Sequence, residues 1–322
     1  LTSFLLVLLG IILLLIGGAS LVRGATGIAQ SFNVPNIVIG LTVVAFGTSA
    51  PELVINVTGA LQGKTDLAFG NAVGSNLANF GLVLGIAAIM SPIYLQGQVI
   101  RREVPFLLLI TAILLVMVWD APLSGTQALL DRGDAIILFL LFTVFVYFMV
   151  RDFISAEGDP LLVEGDNLSS KASGNGLVNT ALLLIGLVLL VVGGEMTIDN
   201  GVAIAKIMGV SEVVIGMFVL AVGTSLPELV TSGIAAYKKE TDLALGNIVG
   251  SNIFNSLVVL PAAAIIRPLP IPKSGDWDLA VGGAFVLVII PLFLFSNARL
   301  GRLAGIGLIT SYFLYLYIRF NF

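Results

Sequence analysis

Twice in this chain an acid, two hydroxyls, a glycine and a proline interrupt strongly apolar sequence. The first string is Gly47-Thr48-Ser49-Ala50-Pro51-Glu52; the second, Gly223-Thr224-Ser225-Leu226-Pro227-Glu228, follows 228 − 52 = 176 residues later. A carboxylate at membrane depth is costly unless it is neutralised or paired. No Lys or Arg occurs in 34–61 or 65–91, and the basic residues nearest Glu228 are Lys238 and Lys239 at the end of its segment. The counter-charge is therefore a proton or a bound cation. Proline has no N–H, so Pro51 leaves the Gly47 carbonyl without its helical donor, and Pro227 does the same to Gly223. Each segment is expected to kink or break there, and irregular backbone at that depth lines a cavity or an ion site.

A second polar string follows each of these. Gly70 through Asn79 answers Gly246 through Asn255, and over 65–79 against 241–255 the residues are identical at 11 of 15 positions without a gap. Ser75 and Asn79 are four apart and share a helix face, as do Ser251 and Asn255. Gly70 and Gly74, and likewise Gly246 and Gly250, recur at the same spacing and let helices approach closely. Close packing brings the Ser and Asn toward the Glu of the neighbouring segment. The resulting inventory is two carboxylates, several hydroxyls, two amides and freed carbonyls. That is an oxygen site of fixed charge −2, matched by one Ca²⁺ or two monovalent cations. The chain has no His and no Cys, which excludes imidazole and thiolate ligands and leaves hard cations as the fit. No nucleophile–base set is present, so neither an enzyme nor a resident cofactor is expected.

The elements that must position these strings are membrane helices. The chain has 322 residues, is 58% hydrophobic and 11% charged, and its mean hydropathy is +1.09. Apolar runs of about 20 residues, enough to cross about 30 Å of hydrocarbon as helix, recur along it. The fold class expected is an all-α polytopic membrane protein. Spans are predicted near 4–29, 34–61, 65–90, 104–119, 135–150, 178–207, 211–237, 243–266, 279–296 and 303–319. The 4–29 run has an internal twin, Gly10 matching Gly186 and Gly17-Gly18 matching Gly193-Gly194, so it reads as part of the fold and not as a signal peptide. The prediction is ten transmembrane helices in two five-helix repeats, 1–151 and 177–322, joined by a hydrophilic linker at 152–176. An odd number of spans per copy turns the second copy over, giving inverted repeats. With the N-terminus outside, nine Lys and Arg fall on the cytoplasmic side and six on the outer side, which favours N-terminus out and linker in.

The paired strings resemble the two α-repeats of the cation/calcium antiporter superfamily, and within it the sodium/calcium exchangers. The likeness runs over Gly40–Glu52 with Gly70–Asn79, over Gly216–Glu228 with Gly246–Asn255, and over the ten-span plan. The resemblance implies Glu52 and Glu228 as central carboxylates. It implies Thr48, Ser49, Thr224 and Ser225 as further oxygen donors, with the Ala45 and Ala221 carbonyls nearby, and Ser75, Asn79, Ser251 and Asn255 closing the metal site. Proton-coupled relatives tend to carry an acid where Ser75 and Ser251 stand. Well-known sodium- and potassium-coupled members carry Asp where Asn255 stands, and Asn there argues against potassium co-transport. The linker lacks room for the regulatory calcium domains of animal exchangers. The expectation is a monomeric, prokaryotic plasma-membrane antiporter exchanging Na⁺ for Ca²⁺ by alternating access, with the lipid bilayer as its surroundings and no nucleic-acid partner. Proton/calcium antiport is the alternative, and a passive cation channel the more distant one.

Other features read as structural. Asn71 and Asn247 read as packing or capping groups. Glu195 and Asp199 have no acidic twins, since Ala19 and Arg23 hold those places, and read as a local pair or helix-end charges. Phe, Tyr and Trp near span ends read as interface anchors.

Overall fold

The computed structural model describes residues 2–32, 34–94, 102–119, 128–156, 176–208, 221–295 and 299–321. Most of the expected linker (157–175), residues 120–127 between two predicted spans, and the start of the predicted 211–237 span lie outside the described residues. The described residues are overwhelmingly helical. In chain order the elements are α1 (Thr2–Ser31), α2 (Asn36–Ile39), α3 (Ala45–Thr48), α4 (Ala50–Leu61), α5 (Thr65–Ala78), α6 (Leu84–Met90), β1 (Ile93–Tyr94), α7 (Val104–Val118), β2 (Leu129–Leu130) and α8 (Arg132–Ala156). Then follow α9 (Gly176–Ile207), α10 (Ala221–Thr224), α11 (Leu226–Tyr237), α12 (Thr241–Phe254), α13 (Leu260–Ile266), β3 (Leu269–Pro270), α14 (Gly275–Phe295), β4 (Arg299–Leu300) and α15 (Arg302–Asn321).

By length and composition, five helices among the described residues are apolar enough to cross a membrane: Thr2–Ser31, Thr65–Met90, Arg132–Arg151, Gly176–Ile204 and Thr241–Ile266. A sixth is the bent pair Asn36–Thr48 and Ala50–Leu61. The predicted span at 104–119 is the 15-residue α7, about 22 Å long and short for a crossing. The predicted 279–296 coincides with α14 as far as Phe295, residue 296 lying outside the described residues, and the predicted 303–319 falls within α15.

Burial separates centre from periphery. The apolar windows of Thr241–Ile266 and Thr65–Met90 are 83% and 67% buried, against 33%, 28% and 22% for Thr2–Ser31, Gly176–Ile204 and Arg132–Arg151. The two helices that carry the second polar strings are thus the core of the molecule.

Around that core, α1 and α9 run antiparallel along a seam of glycines. A Cβ on Gly17 would sit 3.0 Å from the Gly186 carbonyl oxygen, and one on Gly193 would sit 2.8 Å from that of Gly10. Only hydrogen fits where backbones approach this closely. Gly10 and Gly17 are the repeat twins of Gly186 and Gly193, so each contact maps onto the other when the halves are exchanged. Two short ribbons also join the halves: Ile93 pairs with Leu300 and Tyr94 with Arg299, while Leu129 pairs with Pro270 and Leu130 with Leu269.

Two local distortions set up the site. The predicted break at Pro51 falls two residues earlier. Ser49 leaves helical geometry (φ −86°, ψ 9°), α4 begins at Ala50, and Pro51 sits in its first turn. Proline is tolerated there because the first turn's N–H groups have no intrahelical partner. The axis bends by 43° across this break. Ser225 repeats the geometry (φ −83°, ψ 6°) ahead of Pro227. The second distortion is a π-helical turn, at Asn79–Val83 and again at Asn255–Val259. Such widened turns recur at functional sites, and both begin on the last residue of the polar string.

Candidate functional site

The broken helices bring the paired strings together. Glu52 and Glu228 lie in the first turns of α4 and α11, at the positive end of each helix dipole, where a carboxylate is favoured. Both are fully buried, as are Ala45, Thr48, Ser49, Ser75, Asn79, Thr224, Ser251 and Asn255, and Ser225 is 2% exposed. Ala221 opens α10, and its side chain lies outside the described residues.

The hydroxyls converge on the acids from both halves. Ser49 donates across the halves to Glu228 Oε1 at 2.8 Å, and Ser251 donates to the same oxygen at 3.4 Å. Ser251 Oγ also lies 3.4 Å from the Ala45 carbonyl oxygen. Ser75 donates to Glu52 Oε1 at 3.5 Å and shares a 3.2 Å hydrogen bond with Thr224 Oγ1. The two carboxyl groups are close enough to interact electrostatically. Neither Glu forms an ion pair with a Lys or Arg among the described residues.

Among the described residues, several buried polar atoms here have no hydrogen-bond partner: Glu52 Oε2, Glu228 Oε2, Ser225 Oγ, Asn79 Oδ1, and both side-chain polar atoms of Asn255. An unpaired buried polar group costs about 1–3 kcal/mol, and a cluster of them in one place is a site built for something the protein itself does not supply. Among the described residues no group of three or more His, Cys, Asp or Glu comes together. Coordination here has to combine two carboxylates with neutral oxygens, which is the donor set of a hard cation.

Behind this inner set stand residues that the sequence reading assigned to packing or missed. Thr48 donates to Asn247 Oδ1 at 3.0 Å, and Asn247 Nδ2 donates to Ser232 Oγ at 2.9 Å. In the mirrored arrangement Thr224 donates to Asn71 Oδ1 at 3.2 Å, Asn71 Nδ2 to Asn56 Oδ1 at 2.8 Å, and Asn56 Nδ2 to the Ala68 carbonyl at 2.9 Å. Each threonine of a broken helix is thus oriented by an asparagine of the other half. Asn56 and Ser232 are polar twins 176 apart in apolar runs, a signal available in the sequence. Replacing Asn247 with alanine leaves Thr48 Oγ1 and Ser232 Oγ without this partner. We expect a loss of about 1–3 kcal/mol, read as a lower thermal midpoint of the purified protein.

The halves are not equivalent at the asparagines. Asn79 Nδ2 donates to Asn252 Oδ1 at 2.9 Å, whereas its twin Asn255 makes no such bond. The residue that would receive it, Asn76, is turned toward Ser256 Oγ at 3.0 Å, and the twin of Ser256 is Phe80, which has no hydroxyl.

Comparison with known proteins gives a consistent picture. The family profile described as sodium/calcium exchanger protein matches residues 2–151 and 178–321. The chain is 37% identical to the candidate antiporter CaxA of Alkalimonas amylolytica over 318 residues, covering 98% of each. It is 28% identical to the sodium/calcium exchanger MaX1 of Methanosarcina acetivorans over 344 residues, covering 99% of this chain and 98% of that one. The structure of the sodium-calcium exchanger NCX_Mj soaked with Na⁺ and Ca²⁺ superposes with a TM-score of 0.83 at 32% identity, covering 98% of both chains. With its duplicated strings, buried acid pair and helical membrane fold, the chain belongs to the sodium/calcium exchanger family.

Proposed function

We propose that the protein is a sodium-driven calcium antiporter that binds Ca²⁺ and Na⁺ in turn at one mid-membrane oxygen site. Glu52 and Glu228 supply the fixed charge. Thr48, Ser49, Thr224, Ser225, Ser75, Asn79, Ser251, Asn255 and the carbonyls of Ala45 and Ala221 complete the donor set. The observation that carries the reading is the acid pair: one oxygen of each carboxyl is buried and unpartnered, with no Lys or Arg paired to either among the described residues. A divalent cation neutralises both acids at once, and Na⁺ ions displace it by supplying the same charge. Mutually exclusive occupancy of one site gives exchange without a chemical reaction.

The architecture that fits this function is ten spans in two inverted repeats, 1–151 and 177–322, joined by a cytoplasmic linker, with the N-terminus outside and the chain in the plasma membrane. The antiparallel, repeat-related seam of α1 and α9 supports inversion, and a rigid pair sliding along the core would open the site to each side in turn. The names of MaX1 and NCX_Mj favour sodium as the counter-ion. Asn255 and the serines at 75 and 251 leave the two glutamates as the titratable groups among the proposed ligands, which favours sodium over protons.

The test is uptake of radioactive calcium into proteoliposomes loaded with sodium. We expect accumulation that needs an outward Na⁺ gradient. Uptake driven by a pH gradient without sodium would replace this reading with proton exchange, and fast uncoupled flux would replace it with a channel.

A further inference from the structure

The two halves share one backbone at the turn after the motif helix but fill it with different residues. In the first half the turn is Gln62-Gly63, and Gly63 adopts φ 78°. In the second half it is Lys238-Lys239, and Lys239 adopts φ 66°. The closing hydrogen bonds correspond: Gly63 N–H to Ala60 O and Lys64 N–H to Gly59 O, then Lys239 N–H to Ala236 O and Glu240 N–H to Ala235 O. Glycine takes this left-handed conformation without penalty, whereas a side chain bearing a Cβ is strained in it. The glycine at the twin position shows that this turn does not itself require a side chain, so Lys239 carries its ammonium at the cost of a strained backbone.

Its neighbours give that ammonium a setting. Tyr237 is 77% exposed, and Lys238, Lys239 and Arg23 of α1 are also exposed. Lys238 Nζ donates to the Ala19 carbonyl oxygen at 3.3 Å. In an α-helix that oxygen also accepts the Arg23 N–H, so the ammonium stands beside the turn that carries Arg23. Lys238 thus joins α11 to the turn of α1 that bears Arg23, Lys239 is the next residue in the chain, and among the described residues none of the three has a carboxylate partner. The nearest acid in sequence, Glu240, accepts from Asn36 Nδ2 at 2.8 Å. The repeat-related positions hold no cation: Gln62, Gly63 and, in place of Arg23, Asp199.

Depth identifies the partner. From Glu228 to Tyr237 is nine helical residues, about 13.5 Å, against a hydrocarbon half-thickness of about 15 Å. The tyrosine therefore stands at the membrane interface, where its ring is favoured, and the lysines at headgroup level. This placement rests on the mid-membrane position proposed for Glu228.

We propose that Arg23, Lys238 and Lys239 form a binding site for the phosphate headgroup of an anionic phospholipid, which ties α1 to α11 on one face of the membrane only. A general bias of basic loops toward one side needs neither the strained turn nor the Lys238 bond to α1.

Native mass spectrometry of the full-length purified chain tests this, with phosphatidylglycerol and phosphatidylcholine of matched acyl chains as probes. It reads binding and not transport, so this inference and the antiport reading fail separately. The wild type is expected to retain phosphatidylglycerol over phosphatidylcholine, with each cation contributing about fivefold. Lys239→Gly is expected to lose that fivefold while its thermal midpoint stays level or rises, because the turn is relieved. The combined Arg23→Gln, Lys238→Gln, Lys239→Gln variant is expected to hold the two lipids equally. Equal retention by the wild type, or undiminished selectivity in the triple variant, overturns the proposal. So does displacement of the lipid by millimolar inorganic phosphate at matched ionic strength, which would mark a site for free phosphate.

Discussion

Glu52→Gln and Glu228→Gln are each expected to lower sodium-driven calcium uptake at least about a hundredfold, equivalent to about 2.7 kcal/mol. The substitution keeps the shape of the side chain and removes one unit of charge. Two unit charges about 4 Å apart interact by about 4 kcal/mol at the effective dielectric of a protein, and a divalent ion doubles that. Losing either acid therefore removes more binding energy than the predicted effect requires. The fold should survive, because each glutamate is buried without an ion-pair partner among the described residues, so neutralising it removes a desolvated charge and leaves no cation stranded. The expected signature is twofold. Without calcium or sodium the variants melt at or above the wild-type temperature. Adding calcium, which stabilises the wild type by mass action, no longer raises the midpoint. A variant that still gained stability from calcium and still exchanged would remove the acid pair from the mechanism. Ser49→Ala on the same assay separates ligand from charge: the 2.8 Å bond to Glu228 is one neutral donor, so its loss should weaken exchange far less than loss of the carboxylate.

The inner elements of this site were legible because duplication marks them. Glu52 and Glu228 stand out as acids in apolar runs with no cation beside them, and they occupy repeat-related positions 176 residues apart. Ser75 and Ser251 do lie against the acids of their own halves, as the spacing of the second strings suggested. What the sequence left dark is how the halves dock. A repeat specifies each half but not the contacts between them, so the cross-half bond from Ser49 to Glu228 and the exchange of threonine and asparagine partners emerge only in three dimensions. The π-helical turns were also hidden, because the four-residue spacing of Ser75 and Asn79 reads as regular helix. Proline does not explain both turns: Pro261 follows the second, while Gly85 holds the equivalent place after the first. The break at Ser49 was anticipated from Pro51, but two residues off. A proline in a first helical turn breaks nothing; it marks the start of the helix that carries the acid.

Gly186→Leu is expected to uncouple binding from transport: exchange falls at least about tenfold while calcium still raises the thermal midpoint. A Cβ at Gly186 would lie 2.8 Å from the Gly17 carbonyl oxygen and 2.6 Å from the Leu21 amide nitrogen. Both are backbone atoms that no rotamer change can move, so α1 and α9 must separate to admit the side chain. Overpacking of this kind costs about 1–3 kcal/mol. Neither helix supplies a residue to the proposed site, which leaves coordination intact, yet a peripheral pair that moves as a unit depends on the close fit of its seam. The milder Gly186→Ala presents only the Cβ and should give an intermediate rate, which keeps the test open if the leucine variant assembles poorly. Gly17, which contacts Gly186 from the other helix, should show the same ranking. Full exchange by variants with a widened seam would mean that α1 and α9 do not travel together, and the motion that exposes the site would then have to be sought within α2–α4 and α10–α11, at the breaks on Ser49 and Ser225.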